Sequence, residues 1–263
     1  MNKKQLVSVI TVTYNSESTV IDTIEGVLNQ SYPNIEYIIV DGNSSDETLN
    51  IIKSYEEKFK NRGYTYKWIS ERDRGIYDAY NKGVKLASGN IIGIINSDDW
   101  YNEEAVTEIE KVFNDKSKVI VAGEKRKVTF DKQHYGIYYN KKNVKKNINK
   151  VMPLNFPATF IHKSVYNEIG FFDTKYRLSA DYDLVFRAFN AGVDFMFTDE
   201  IIVNMRNSGA TGQLNSLWIT AKEDQHIRKK NKVKLTNWYY FKRIIFNCLV
   251  IARDSVRNII NKK

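Results

Sequence analysis

The sequence of 263 residues predicts an α/β fold with a mostly parallel central sheet flanked by helices. Short β-rich runs alternate with segments of helical periodicity through residues 7–113. One run, residues 91–95, reads Ile-Ile-Gly-Ile-Ile and is bounded by polar residues, which is typical of a strand buried on both faces. Alternation at this spacing implies right-handed crossovers, and these make neighbouring strands parallel.

The first half of the chain supplies four of the predicted strands, over residues 7–13, 35–40, 65–69 and 91–95. We expect the first helix to open near Ser16 or Ser18, and the second at a capping box formed by Ser44 and Glu47. Further helices are predicted over residues 76–87, ended by Gly89, and over residues 103–113.

The second half is less regular and mixes short strands with aromatic loops. Strands are predicted at residues 119–122, 158–162 and 201–205, with a hairpin over 127–139 and a loop over 140–150. Helices are predicted over 163–169, ended by Gly170, and over 180–190. No Pro/Gly-rich linker separates the halves, so we expect them to share one sheet within residues 1–230, followed by a basic helical tail at 231–263.

Composition limits the classes of protein to consider. The hydrophobic fraction of 42% and charged fraction of 27% are those of a globular protein, and the single cysteine, Cys248, excludes an intrachain disulfide and a cysteine metal cluster. We read no export signal and no membrane-spanning segment, which favours a cytoplasmic location. The net charge of +9 is concentrated at residues 141–150 and after Arg228. These cations could form a solvated surface, or they could attract an anionic partner. No nucleic-acid partner is expected, because zinc spacings and RNA-binding signatures are missing.

The carboxylates most suited to chemistry are Asp98 and Asp99, directly after the run 91–95. Ligands of such sheets bind at the carboxyl ends of strands. Two adjacent carboxylates there suit a divalent cation, because hard cations prefer carboxylate oxygens. The alternative is an ordinary turn.

Polar residues also follow the other predicted strands. Thr13-Tyr14-Asn15 stands at the end of the first predicted strand. It could form an anion site at a helix start, or it could cap that helix. Asp41 ends the second, as a hydrogen-bond acceptor for a ligand or as part of a turn. The segment 71–78 after the third is densely charged and includes Asp73-Arg74-Gly75, either facing a phosphate or forming surface ion pairs.

Taken in order, four segments closely resemble glycosyltransferase family 2: residues 7–15, 39–46, 73–79 and 96–99. The resemblance runs from about Val7 to about Lys230. It implies the GT-A fold, with a nucleotide-binding half at 1–115 and an acceptor half at 116–230. It also implies a nucleotide-sugar donor, a divalent cofactor (Mn²⁺ or Mg²⁺) and inversion at the anomeric carbon.

The resemblance implies roles for nine residues. Those expected to contact the donor nucleotide, its phosphates or its sugar are Thr13, Tyr14, Asn15, Asp41, Asp73, Arg74, Gly75 and Asp98. Asp99 would hold the metal. The family's metal motif is usually Asp-any-Asp, and this chain has Ser97 at the first position.

The resemblance also implies a general base. The segment 179–184 is similar to the family's Glu-Asp catalytic segment, with Asp181 at the base position and Ala180 in place of the Glu. The structural alternative for Asp181 is a helix N-cap. Asp183 is the less favoured base, since Arg187 lies four residues on and could pair with it. His162 could contact a phosphate, line the acceptor site or be an ordinary surface residue. Residues 206–212 could form a lid or a plain loop.

The leading hypothesis is an inverting glycosyltransferase that moves a sugar, UDP-linked by preference, to a hydroxyl of a glycan or lipid-linked acceptor. The setting would be bacterial surface polysaccharide or glycolipid biosynthesis. The alternative is a non-catalytic sugar-nucleotide- or carbohydrate-binding protein on the same fold, which Ser97 and Ala180 keep open. A nucleotidyltransferase is disfavoured, because no glycine-rich loop follows the first strand. The stretch 236–260 suits either peripheral contact with the inner face of the cell membrane or packing on the domain or on a second subunit of a homo-oligomer.

Overall fold

The computed structural model describes residues 4–206 and 214–234. Of the predicted lid at 206–212 only Arg206 is described, and most of the tail at 231–263 lies outside the described residues. Within them, a nine-stranded sheet runs through both halves of the chain, with helices on its two faces. No helix in these ranges is both long and apolar enough to cross a bilayer.

The strands are β1 (Val7–Thr13), β2 (Ile35–Asp41), β3 (Thr65–Ser70), β4 (Ile91–Asn96), β5 (Trp100–Tyr101), β6 (Val119–Val128), β7 (His134–Tyr138), β8 (Thr159–His162) and β9 (Asp194–Arg206). The helices are α1 (Val20–Leu28), α2 (Thr48–Ser54), α3 (Glu56–Arg62), α4 (Ile76–Leu86), α5 (Ala105–Phe113), α6 (Val144–Asn147), α7 (Lys163–Ile169), α8 (Ala180–Asn190) and α9 (Leu214–Lys230). The strand order is β3-β2-β1-β4-β8-β6-β9-β5, and β7 pairs with β6.

The first half is parallel, as predicted. Strands β3, β2, β1 and β4 run in the same direction, so that their carboxyl ends lie at one edge of the sheet. Alternate residues of these strands point to opposite faces. Ile10 and Ile94 join a core with α4 and α8, whereas Val9 and Ile95 join a second core with α1 and α5. Burial on both faces explains why residues 91–95 of β4 are apolar.

The second half turns the sheet from parallel to mixed. Strand β8 lies antiparallel between β4 and β6, and β9 runs parallel to β6. The predicted strand at 119–122 continues to Val128, and the predicted strand at 201–205 is the end of the 13-residue β9. The full lengths of β6 and β9 were not predicted, because the two strands carry polar residues where they pair with each other. The bounds predicted for α7 and α8 are confirmed, whereas α6 lies inside the predicted loop.

Two predicted helix starts are wrong. Helix α1 begins at Val20, after Ser16 and Ser18, and helix α2 begins at Thr48 without a side-chain cap. The Ser44 hydroxyl bonds the Asp41 carboxylate and so does not form the capping box. Side chains that could have capped a helix instead join the ends of neighbouring strands.

A buried carboxylate, Glu36, holds the sheet at the edge opposite the strands' carboxyl ends. It is fully buried and accepts hydrogen bonds from Ser8 and from the Ser88 hydroxyl (2.6 Å). The Lys67 ammonium lies 2.6 Å from its Oε1. Burial alone raises the pKa of Glu36, but the hydrogen bonds from Lys67, Ser8 and Ser88 outweigh it and lower the pKa to about 2.

We expect Glu36→Gln to lower the free energy of unfolding by about 2–3 kcal/mol at pH 7, because a buried ion pair loses one partner. The folded-state pKa is depressed, so the carboxylate's contribution is present above its unfolded pKa and disappears as pH falls towards about 2. Urea unfolding at pH 7 and pH 3.5 (about one unit below the unfolded value) measures both effects. The exposed Glu57→Gln is the matched control. Equal stability of parent and Glu36→Gln at pH 7 would refute this role.

Candidate functional site

A cavity of about 890 Å³ opens at the carboxyl end of β4, between the starts of α4 and α8. Five residues predicted for the site line it: Arg74, Gly75, Asp98, Asp99 and Asp181. Apolar side chains of the second half form much of the opposite wall, among them Met152, Leu154, Phe156 and Ile219. The cavity therefore joins the carboxylates of the first half to the base candidate of the second.

The turn after β4 holds Asp98 and Asp99 in place. The Asp99 N–H donates to the Asn96 carbonyl (3.2 Å), and the Thr23 hydroxyl of α1 donates to the Asp99 carbonyl (2.6 Å). Arg206, at the end of β9, donates from its guanidinium to the Asp98 carbonyl (2.7 Å). Helix α1 and strand β9 thus fix the backbone that carries both carboxylates.

The Asp99 carboxylate is only 1% exposed. Its Oδ1 accepts the Arg206 backbone N–H (2.9 Å), whereas its Oδ2 has no hydrogen-bond partner within the described part of the chain. Burial raises the pKa of Asp99 well above its usual range, and the adjacent Asp98 raises it further. A buried carboxylate of this kind is costly unless it is protonated or faces a cation.

A hard divalent cation fits this arrangement, because the unpaired Asp99 oxygen is the type of ligand such an ion prefers. No group of three His, Cys, Asp or Glu side chains among the described residues could hold a metal alone. A metal at Asp99 would therefore take its other ligands from a substrate or from water.

Asp181 lies in the first turn of α8, and the helix N-cap is Ser179, so the capping alternative for Asp181 is wrong. Its Oδ1 accepts the Tyr77 hydroxyl (3.1 Å) and the Tyr182 N–H (2.9 Å). Burial raises the pKa of Asp181 to about 6, although these hydrogen bonds oppose the shift. A carboxylate with this pKa is ionised at neutral pH and basic enough to accept a proton.

Asp183 is occupied elsewhere. Its carboxylate is fully buried and pairs with Arg187 (2.7 Å), as predicted, and with Lys230 (3.0 Å). It does not line the cavity. Asp181 is therefore the carboxylate of this helix start that faces the cavity.

The charged segment after β3 forms ion pairs and also borders the cavity. Lys82 of α4 pairs with Asp73 (2.6 Å) and with Glu71 (2.9 Å). Arg74 donates its backbone N–H to Asp78 (3.1 Å) and lines the cavity beside Gly75. Gly75 has φ +117°, which favours glycine, and it caps α4.

The other predicted nucleotide-contacting residues gather around Gly42, at the ends of β1 and β2 and outside the cavity lining. Thr13 pairs with Asp41 in register. A Cβ at Gly42 would lie 3.1 Å from Asp73 Oδ2 and 3.4 Å from the Tyr14 ring. The Tyr14 side chain is 65% exposed, and the Thr13 hydroxyl is buried without a hydrogen-bond partner in the described residues.

Asp41 and Asn15 already have partners within the protein. Asp41 is fully buried and accepts from the Ser70 hydroxyl (2.6 Å) and from Ser44. Asn15 has φ +48°, and its side-chain oxygen accepts the Ser45 N–H (2.9 Å). These bonds hold the ends of β1 and β2 together, and the nucleotide contacts of both residues stay predictions.

His162 is far from this site. It pairs in register with Ile91, at the amino end of β4, and its Nδ1 accepts the Ser164 N–H at the start of α7 (3.2 Å). The hypothesis that His162 contacts a substrate phosphate is wrong, because it lies at the opposite edge of the sheet.

The sequence predicts no role in this site for Lys125 and places Arg206 only in the possible lid or loop at 206–212. Lys125 of β6 lines the cavity, and its strand position became apparent only when the pairing of β6 with β9 was known. Arg206 is 3% exposed, pairs with Asp22 and lies 4.7 Å from the centre of the Trp100 ring. Its link to Asp99 spans 107 residues of sequence, which local patterns do not reveal.

Comparisons with known proteins agree with this architecture. The family model Glycosyl transferase family 2 matches residues 8–174. TuaG of Bacillus subtilis, a putative teichuronic acid biosynthesis glycosyltransferase, is 37% identical over 110 residues, 41% of this chain and 42% of TuaG. The Escherichia coli protein UDP-Glc:alpha-D-GlcNAc-diphosphoundecaprenol beta-1,3-glucosyltransferase WfaP is 36% identical over 115 residues, 41% of this chain and 44% of WfaP. Each match thus covers less than half of the relative's own length.

A solved structure shares the fold of this chain. The mannosyltransferase PcManGT from Pyrobaculum calidifontis, solved in complex with GDP-Man and Mn²⁺, superposes with a TM-score of 0.68 at 16% identity. The superposition covers 95% of this chain and 70% of that chain. At this identity the likeness establishes the fold, which is GT-A. With the family model matching residues 8–174, more than half of its length, the chain belongs to glycosyl transferase family 2.

Proposed function

We propose that this chain transfers a sugar from a nucleotide-sugar donor to a hydroxyl group of a glycan or lipid-linked acceptor, with inversion at the anomeric carbon. The observation that carries the proposal is that Asp99 and Asp181 line one cavity with different protonation properties. Asp99 has a buried, unpaired oxygen suited to a cation, and Asp181 has a pKa of about 6 suited to a base. The names of the relatives TuaG and WfaP support a role in bacterial surface polysaccharide assembly.

In the proposed reaction, Asp181 accepts the proton of the acceptor hydroxyl as its oxygen bonds to the anomeric carbon. The bond between that carbon and the donor diphosphate breaks on the opposite face, and the nucleoside diphosphate leaves. Tyr77 orients Asp181 through its hydroxyl hydrogen bond. A divalent metal at Asp99, Mn²⁺ or Mg²⁺, would neutralise charge on the diphosphate.

The residues around Gly42 would hold the nucleotide. Tyr14 presents an exposed ring on which a base could stack, and the unpaired Thr13 hydroxyl could bond a ribose or base. We propose that Asp41, Asn15 and Asp73 shape this end of the site, with Arg74 and Gly75 next to the phosphates and Asp98 next to the ribose or sugar. A UDP-sugar is favoured because UDP-Glc stands in the name of WfaP.

Neutral substitutions of Asp99 and Asp181 should cause different defects in the activity. Asp181→Asn should keep donor binding and lose about 10²–10⁴-fold in turnover, because the base is gone. Asp99→Asn should lose metal-dependent donor binding. Donor hydrolysis or transfer with UDP-Glc, UDP-GlcNAc and GDP-Man, together with calorimetric donor binding, separates the two defects. The exposed Asp199→Asn is the control. Parent-like turnover in both site variants would refute the assignment, whereas donor binding without any turnover in the parent would favour a non-catalytic binding protein.

The pH dependence of turnover should follow Asp181. Because only the ionised carboxylate accepts a proton, kcat at saturating donor and metal should fall as pH drops below about 6. The Tyr77 hydrogen bond lowers the pKa of Asp181, so Tyr77→Phe should move the acidic limb of the profile to higher pH. A profile that is flat between pH 5 and 7, the range around that pKa, would exclude Asp181 as the base.

We also propose that the protein contacts anionic membrane lipid near its acceptor side. The lysines of segment 141–150 and of the end of α9 and the residues after it include five that are exposed: Lys145, Lys146, Lys150, Lys229 and Lys232. The buried Arg228 joins the two segments by donating to the Lys150 carbonyl (2.8 Å). Met152, two residues on from Lys150, lines the cavity. The predicted contact through 236–260 lies outside the described residues.

Vesicle binding tests this surface. The protein should sediment with phosphatidylglycerol vesicles at low salt and dissociate from them at high salt. It should not sediment with phosphatidylcholine vesicles. Lys145→Glu with Lys146→Glu should weaken the binding, and Lys53→Glu with Lys60→Glu on α2 and α3 should not. Equal binding by the two double variants would show that this surface does not contact lipid.

A further inference from the structure

Lys125 is a cation placed among the carboxylates of the cavity. Its strand, β6, pairs with β7 at Tyr138 and with β9 at Val203, so that two neighbouring strands fix its backbone. Its side chain is half-buried and lines the same cavity as Asp99 and Asp181. None of the roles proposed above uses this residue.

The Lys125 ammonium has no anionic partner within residues 4–206 and 214–234. The centre of the Tyr138 ring lies 5.6 Å from the ammonium nitrogen. No carboxylate of these residues lies within ion-pair distance of it. The other cations lining the cavity differ. Arg74 pairs with Asp78 (3.4 Å), and Arg177 is exposed to solvent. Lys125 thus presents to the cavity a positive charge that has no ion-pair partner in these residues.

Lys125 is protonated at pH 7, although its surroundings lower its pKa. Burial lowers the pKa of Lys125 to about 8, and Lys127 acts in the same direction, whereas Asp99 and Asp181 oppose the shift. A half-buried ammonium without hydrogen bonds is unfavourable, and an anion entering the cavity would relieve this cost. A lysine ammonium is a compact point charge that commonly binds phosphate.

We propose that Lys125 forms an oxyanion subsite of the cavity that binds a substrate phosphate between Asp99 and Asp181. The subsite rests on the proposed function, in which a phosphate arrives with either substrate. It is the donor diphosphate, which gains negative charge as the bond to the sugar breaks, or a phosphate carried by the acceptor. Both sources present the same chemistry to Lys125.

Three variants test the subsite. Lys125→Met removes the charge at similar length, Lys125→Gln is a second neutral variant, and Lys125→Arg keeps the charge. The control is Lys111→Met on the exposed face of α5, which changes the net charge equally. Thermal unfolding establishes that each variant is folded before binding is measured.

Calorimetry then distinguishes the two phosphate sources. UDP and GDP are titrated with Mn²⁺, and inorganic phosphate is titrated onto protein saturated with the nucleotide. A loss of nucleotide affinity of about tenfold or more in the neutral variants, recovered by Lys125→Arg, assigns the subsite to the donor diphosphate. Unchanged nucleotide affinity with Lys125-dependent binding of phosphate assigns it to the acceptor.

The proposal is overturned if the neutral variants bind nucleotide as the parent does and phosphate binding is either absent or independent of Lys125. A defect shared with Lys111→Met would also overturn it, because net charge alone would then be responsible. If the parent binds neither nucleotide, the proposed function fails. Titration of phosphate onto the unliganded parent and onto Lys125→Met then still decides whether Lys125 binds an oxyanion.

Discussion

The burial of the Asp99 carboxylate is the constraint on which the site depends. A charged group that is 1% exposed needs compensation, and within the described part of the chain one backbone N–H donates to one of its two oxygens. The surrounding fold is arranged to hold that carboxylate still, since Thr23 of α1 and Arg206 of β9 both bond the turn that carries it. Strands β4 and β9 and helix α1 therefore meet at the turn that carries this carboxylate.

Two carboxylates of the same cavity acquire different chemistry from their surroundings. Asp99 and Asp181 are both desolvated, which raises the pKa of each. Asp181 receives a tyrosine hydroxyl and a helix N–H, and these limit its shift to a value useful for proton transfer. Asp99 receives one backbone N–H and lies next to Asp98, which raises its pKa further, so a cation would be the better compensation for it. In the proposed reaction, Asp99 would thus serve a cation and Asp181 would accept a proton within one cavity.

The parallel half of the fold was predictable because strands buried on both faces are apolar throughout, as in residues 91–95. The convergence of Asp98, Asp99, Arg74 and Gly75 followed from that topology, since strand ends share one edge. The mixed half was not predictable, because β6 and β9 carry polar residues that are buried only by their mutual pairing. Lys125 was missed for the same reason, and Arg206 was predicted only as the start of a possible lid, without its bonds to Asp98 and Asp99. The Ser44 capping box failed because Ser44 bonds Asp41 across the strand ends.

The central claim is that the unpaired oxygen of Asp99 faces a cation bridging to a donor diphosphate. Anomalous diffraction from crystals grown with Mn²⁺ and UDP or GDP locates that ion directly. The account predicts a manganese peak about 2.1 Å from Asp99 Oδ2, in the coordination range of a small hard cation, and in contact with diphosphate oxygens. A bound nucleotide whose manganese lies elsewhere, with Asp99 Oδ2 still uncoordinated, would contradict the account.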